Sequence, residues 1–258
     1  MNRTRIILAC AAAATAAGLA TSAAAPAMAT ARLATSTVAG RHGQLRFTSH
    51  DHAAGPLTAT VTSNRTFAGY QTGVPAGSAT VLTTSFTVPT LSCTTTDRGI
   101  AADAGVLASK TASVSGVFIG CVNGVADYFP WVLVNGSETD YPSSPFAAGD
   151  VIDLTTKVST NRTRVQVTDV TTGVTQKIIG AGFSAGAAYI GDDGWGQQLE
   201  HVPDFGKLTF KNGILDGKAL ASWHPQAYQR VNSIGTLQIA NGNFWPGGTA
   251  FTTHFQHS

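Results

Sequence analysis

From Leu57 onward the chain is a succession of short segments rich in Val, Thr, Ile and Phe, in which apolar and polar residues alternate, cut by Gly, Pro, Asn and Asp. The clearest are Thr80 to Val88, Ser113 to Val122, Val125 to Val134, Val151 to Val158, Thr163 to Val170, Val174 to Ile179, Lys207 to Phe210, Thr236 to Ile239 and Ala250 to Phe255. A period of two sends successive side chains to opposite faces of a strand, and its recurrence roughly every 8–12 residues with turn signals between is the pattern of a sandwich or a barrel. Asn123-Gly124, between two such runs, is the sequence of a two-residue hairpin turn. No stretch sustains a 3.6-residue apolar period over the length of a helix, which argues against βαβ folds. The fold class is therefore all-β.

The first residues read differently. Arg3 and Arg5 precede a short apolar run, Ile6 to Ala14, and Ala27-Met28-Ala29 has the small residues of a cleavage site, so residues 1–29 are expected to be a secretory signal peptide and the mature chain to begin near Thr30. Cys10 follows Leu8-Ala9 as in a lipoprotein box, but the apolar run before it is too short for a signal core. No later run approaches the roughly 20 apolar residues of a membrane helix. Of 16 basic residues the signal removes Arg3 and Arg5, leaving 14 against 14 acidic ones. That balance argues against nucleic acid or an anionic membrane as a partner. Residues 30–56 form a polar lead, a flexible arm or a propeptide, and 57–258 a single β-sandwich domain. Cys93 and Cys121 remain in the mature chain, and in an exported protein they are expected to be joined.

The densest group of carboxylates and amides is Asp192, Asp193, Gln197, Gln198, Glu200 and Asp204. It reads as a short strand ending in Tyr189-Ile190, an acidic glycine turn from Gly191 to Gly194, a polar loop and a second strand, Lys207 to Phe210. Acid or amide chemistry and a solvated loop share this composition. Gly182-Phe183-Ser184-Ala185-Gly186 has the spacing of a nucleophile elbow, but Ala187 to Gly194 cannot open the helix that such an elbow needs. The seven histidines show no metal-ligand spacing, and no cofactor is expected.

Several separated stretches, taken in order, carry a resemblance. Phe67-Ala68-Gly69-Tyr70, Thr84-Ser85-Phe86-Thr87-Val88-Pro89, Gly149-Asp150-Val151-Ile152, Thr168-Asp169-Val170 with Thr171-Thr172-Gly173, Ala187 to Asp192, and Val202 to Phe210 resemble the glutamic peptidases, or eqolisins, over roughly residues 65 to 215. The resemblance implies an antiparallel two-sheet β-sandwich, a concanavalin-like jelly roll, that is secreted; the chain is expected to be a monomer. It also implies acid endopeptidase chemistry by a glutamate that activates water and a glutamine that stabilises the oxyanion.

Two positions depart from that pattern. The segment that the family closes with its glutamate falls on Ala187-Ala188-Tyr189-Ile190-Gly191-Asp192, which puts Asp192 at the base position and Ala188 at the earlier glutamate. The glutamine that opens a Gln-x-Gly-Val segment falls on Val114 of Val114-Ser115-Gly116-Val117. Aspartate is one methylene short, and a misplacement of about 1 Å can cost on the order of 10²-fold. Losing an oxyanion donor costs roughly a further 10²- to 10³-fold. Gln197 or Gln198 is a substitute donor, and Asp192 with Asp193 a candidate proton-sharing pair. The expectation is a secreted hydrolase-like protein, weakly active or inactive. The alternative is a binding module for peptide or glycan in which Tyr128, Trp131, Tyr189, Trp195 and Glu200 supply the surface, although alternation favours the core for Tyr189.

Overall fold

The computed structural model describes residues 61–94, 99–194 and 201–257. The signal segment, the polar lead and the group from Trp195 to Glu200 lie outside the described residues. Sixteen strands are described: β1 (Thr62–Asn64), β2 (Phe67–Gly73), β3 (Thr80–Thr87), β4 (Ile100–Leu107), β5 (Ala112–Val122), β6 (Val125–Val134), β7 (Ser137–Asp140) and β8 (Val151–Val158). They continue with β9 (Thr163–Asp169), β10 (Thr175–Gly180), β11 (Ala187–Gly194), β12 (Lys207–Leu215), β13 (Lys218–Ala219), β14 (Gln226–Val231), β15 (Leu237–Asn241) and β16 (Phe251–Phe255). The one helical element among them is a 3₁₀ turn, Leu220–Trp223, so no described helix is long enough to cross a membrane.

The strands form two antiparallel sheets. The larger runs β12-β16-β15-β14-β2-β11-β4-β5-β6-β7 and the smaller β10-β9-β8-β3-β12, with β13 on β12 and β1 paired in parallel to β14. Strand β12 belongs to both. Lys207 to Phe210 pair with β16, and beyond a register shift between Lys211 and Ile214 the same strand pairs with β3. Asn212 takes a φ of 53° inside that shift, and this bulge bends the strand from one sheet into the other.

Alternation builds the core between the sheets. Strand β8 buries Ile152, Leu154, Thr156 and Val158 and turns Val151, Asp153 and Lys157 outward. Against it pack Val165 and Val167 from β9, Leu82 and Phe86 from β3, and Ala102, Ala104, Val117, Ile119, Val132 and Ile190 from the larger sheet. Thr156 Oγ1 donates to the Ala104 carbonyl at 2.8 Å and lies 3.0 Å from Ser115 Oγ, so the buried hydroxyls of the two sheets satisfy each other. Asn123-Gly124 joins β5 to β6 with φ of 55° and 77°, the two left-handed residues that a tight hairpin demands.

Cys93, in the segment after β3, is bonded to Cys121 near the end of β5, with Cα atoms 5.6 Å apart, inside the usual disulfide range. The bond closes a sequence separation of 28 residues. Replacing both cysteines by serine is expected to cost about 3 kcal/mol, chiefly by freeing the unfolded chain. Urea unfolding of the oxidised protein and of the double variant checks this as a drop in midpoint, with a steeper slope because the freed unfolded chain exposes more surface.

One reading of the sequence is corrected here. Gly191-Asp192-Asp193-Gly194 is not a turn but the second half of β11, paired to β4 on one side and β2 on the other. Two glycines and two aspartates look like a turn in isolation; between two partner strands the same residues are extended and buried.

Candidate functional site

Strands β4 and β11 are buried along almost their whole length, so alternation sorts their side chains between two buried faces. Ala102 and Ala104 of β4 and Ala188 and Ile190 of β11 join the core between the sheets. Phe67, Ala101, Leu107, Val114, Phe118, Trp131 and Tyr189 form a second cluster on the opposite face of the larger sheet. Phe129, Leu133, Ala112, Ala187 and Tyr228 pack on it.

This second face is an aromatic layer laid on glycine. Gly116 lies directly across from Trp131, and a Cβ there would stand 2.6 Å from the indole Cε2. Gly105 is opposite Tyr189, and Gly191 is opposite Gly69, with the Phe67 ring over both. The absent side chains let the rings lie flat on the backbone of the neighbouring strand. Phe67 and Tyr189 meet edge to face at 5.3 Å, and Phe118 stacks on Phe129 at 4.7 Å.

Within that layer sit two carboxyl groups. Asp103 pairs with Gly116 on one side and Gly191 on the other, so neither neighbouring strand sets a side chain beside it. Its Oδ2 faces the Tyr189 hydroxyl at 3.4 Å, while Oδ1 is buried without a hydrogen bond. Asp193 is its diagonal neighbour on β11 and shares its face; its Oδ1 accepts the Gly194 N–H at 2.8 Å. Burial, then the charges of Asp193 and Asp192, hold the Asp103 pKa well above the ordinary carboxylate range. Tyr189 is likewise raised, first by burial and then by Asp103.

Asp192 points the other way, into the core side of the sheet, and is 0% exposed. Burial pushes its pKa up to about 7, against the opposing pull of the Thr253 hydroxyl and the Arg230 guanidinium. No hydrogen bond reaches either of its oxygens, so Thr253 acts as a neighbouring dipole and Arg230, itself buried, as a charge.

These placements change how the sequence-predicted residues group. Val114 is on the aromatic face, in register with Gly105 and, through it, Tyr189. Asp192 is in register with Ala102, one residue out of phase with that row. The two positions at which the resemblance sets base and oxyanion donor therefore project from opposite faces of the sheet. Asp192 and Asp193, expected as a proton-sharing pair, are parted by the same alternation. The carboxyl that joins Asp193 is Asp103, which the sequence reading missed. Its signal was a lone acid inside the otherwise apolar run Ile100 to Leu107. Tyr128 belongs to the core between the sheets, whereas Trp131, three residues on, belongs to the aromatic face. Trp195, Gln197, Gln198 and Glu200 lie outside the described residues. Among the described residues no three metal-ligating side chains converge.

The two-sheet antiparallel sandwich is an architecture shared with solved glutamic peptidases. Scytalido-glutamic peptidase, solved with a peptide-based transition state analogue, superposes with a TM-score of 0.58 at 15% identity, over 74% of this chain and 98% of that one. The eqolisin SCP-B, solved with the tripeptide Ala-Ile-His, gives 0.57 at 14% identity over 74% and 98%. Aspergilloglutamic peptidase from Aspergillus niger gives 0.51 at 17% identity over 62% and 100%. No curated protein matches the chain. The sequence pattern of the Peptidase A4 family matches residues 65–238, and the chain belongs to that family.

Proposed function

We propose that this chain is an exported member of the Peptidase A4 family that binds polypeptide on the aromatic face of its larger sheet and does not cleave it by glutamate–glutamine chemistry. The observation that carries this reading is the phase difference between Val114 and Asp192. A substrate lying on one face of the sheet cannot touch both, and valine donates no hydrogen bond to an oxyanion in any case. Losing that donor alone costs roughly 10²- to 10³-fold in turnover. A general base must also reach within about 3 Å of the water it deprotonates, which a carboxyl enclosed in the core does not do. Polypeptide is favoured over glycan because the two structural relatives with bound molecules hold peptides or a peptide analogue, and because flat rings beside buried carboxyls suit apolar and basic side chains. Export accords with the signal-like residues 1–29 and with the Cys93–Cys121 disulfide.

The purified mature chain is expected to show no endopeptidase activity on a denatured protein substrate anywhere in the acidic range, with Asp192→Asn as the control. Robust cleavage abolished by that substitution would overturn the reading. In the same preparation, apolar and basic peptides are expected to bind and to lose affinity on Phe129→Ala, which removes a half-buried ring of this face.

A further inference from the structure

We propose that the outward face of the smaller sheet is a second binding surface, which takes a carboxylated polysaccharide: sugar hydroxyls in a hollow beside Asp153, carboxylates on Lys157, Arg164 and Lys177. It lies on the far side of the sandwich from the aromatic face and does not depend on peptide binding there. Strand β8 turns Asp153, Thr155 and Lys157 outward, β9 turns out Arg164, Gln166 and Thr168, and β10 Thr175, Lys177 and Ile179. Register lines these side chains up in rows. Lys157 pairs with Arg164, and in the next row Thr155 pairs with Gln166, which pairs with Lys177. Arg162 stands in the hairpin that joins β8 to β9, and all four cations are exposed. Like charges set directly opposite on a sheet destabilise it, so the Lys157–Arg164 pair is a cost to folding that an anionic ligand offsets. Hydrogen bonds nonetheless hold the guanidinium in place. Arg164 Nη2 donates to Gln166 Oε1, Gln166 Nε2 donates to Thr168 Oγ1 at 3.0 Å, and that hydroxyl lies 3.2 Å from Thr175 Oγ1.

Beside the cations the same face offers an uncharged subsite. Thr83, Thr84, Asp153, Leu154, Thr155 and Asn212 line a hollow where the register of β12 shifts against β3. Asn212, at φ 53° within that shift, donates through Nδ2 to Ser85 Oγ at 2.9 Å, which fixes its amide at the rim. Hydroxyls, a carboxylate and an amide are the groups that exchange hydrogen bonds with sugar hydroxyls. Asp153 and Lys157 are four residues apart on one strand, roughly 13 Å, so a ligand whose hydroxyls reach Asp153 keeps its carboxylates clear of it. Asp216, the acid next to Val81, has its Oδ1 engaged by the Val81 N–H at 2.6 Å. A guanidinium fork matches a carboxylate in bidentate fashion, which suits Arg164 to a uronic acid. Nucleic acid fits less well. Among the described residues no aromatic side chain stands on the outward rows of β3, β8, β9 and β10 to stack a base, and Asp153 repels a phosphodiester.

The test titrates the mature chain with a galacturonic acid hexamer at low ionic strength, followed by calorimetry. The hexamer's methyl ester, a single-stranded DNA of equal charge and phosphatidylglycerol vesicles serve as comparisons. The free acid is expected to bind, and the ester to bind at least about tenfold more weakly. K157Q/R164Q is expected to weaken binding of the acid at least about tenfold, as is high salt. T83V/T155V keeps the charges and the strands and is expected to cost roughly fivefold through the lost hydroxyls. Phe129→Ala, on the opposite side of the sandwich, should leave the affinity unchanged. All four substituted positions of the two double variants face outward, and relief of the Lys157–Arg164 repulsion gives K157Q/R164Q a urea midpoint no lower than that of the wild type. The proposal is overturned if the hexamer does not bind, if its ester binds as well, if K157Q/R164Q has no effect, or if binding is lost on Phe129→Ala. It is equally overturned if DNA or vesicles bind as tightly while T83V/T155V is neutral, which would leave a cluster of cations and no sugar site.

Discussion

Gly191→Ala is expected to cost about 5 kcal/mol, enough to unfold a domain of ordinary stability. Gly191 and Gly69 face each other across β11 and β2, and their backbones approach so closely that a methyl on Gly191 has nowhere to go. It would overlap the Ala68 carbonyl oxygen, stand 2.6 Å from Phe67 Cε2 and 2.9 Å from Gly69 Cα. Two of those three atoms are backbone, so no rotamer change relieves the clash, and the strands must separate at the centre of the larger sheet. Overpacking that side chains can absorb costs only about 1–3 kcal/mol. Gly73→Ala, four pairs along the same ladder, is the control. Its Cβ would meet nothing nearer than the Gly186 carbonyl oxygen at 3.9 Å, and the substitution is expected to change stability by less than about 1 kcal/mol. Urea unfolding of both variants separates local crowding from a general intolerance of alanine in this sheet. Equal losses would refute the argument.

Many of the strands that the sequence made legible bury one face, although β5, rich in Val, Phe and Ile, was legible while buried on both. Segments such as Val151 to Val158 alternate cleanly because one side meets the core and the other meets water, and their observed bounds match the alternation to within a residue or two. The strands that escaped notice are buried on both sides or are short and polar. Strand β4 reads Ile-Ala-Ala-Asp-Ala-Gly-Val-Leu, with no period at all, because its inner alanines meet one layer and its outer residues another. Strand β14, Gln-Ala-Tyr-Gln-Arg-Val, hides a fully buried arginine that only the three-dimensional neighbourhood of Asp192 explains.

The site was legible in its residue types and not in its grouping. Asp192 and Asp193 stand on β11 and Val114 on β5, beside β4, while Trp131 stands one strand further out, on β6. What the sequence could not provide was the phase of each strand against the next, and phase decides which side chains meet. A reading that took Gly191 to Gly194 as a turn lost the alternation beyond Ile190, and with it the separation of Asp192 from Asp193. The glycines were equally opaque. Gly105 and Gly116 look like breaks in strands, whereas in the fold they are the floor on which Tyr189 and Trp131 lie.

The buried carboxyls make the second large prediction, a fold that weakens as pH rises. In the unfolded chain Asp192 and Asp103 titrate near the ordinary value of 3.8, whereas in the folded chain Asp192 is raised to about 7 and Asp103 well above its usual range. A raised folded pKa means that the native state holds its proton more tightly than the unfolded state does. Stability is therefore fully present below about pH 4 and falls as pH rises through 7, where the native state must ionise a buried group. For Asp192 the displacement corresponds to about 4 kcal/mol between the two limits. The groups facing it are Arg230 of β14 and Thr253 of β16, and both oppose the rise, so burial is the cause that wins. Asp103 faces Tyr189 and Asp193, and the charge on Asp193 adds to burial, so its contribution has the same sign. Between pH 5 and pH 8 the unfolding free energy is expected to fall by about 3 kcal/mol on account of Asp192 alone, with Asp103 adding a loss of the same sign. Asp103→Asn, which keeps the shape and an acceptor for the Tyr189 hydroxyl, is expected to be near neutral at pH 5 and stabilising at pH 8. Asp192→Asn is expected to flatten the profile between those values while leaving Arg230 without its facing acid. A profile that rises toward alkaline pH would mean that Arg230 outweighs burial and holds Asp192 ionised.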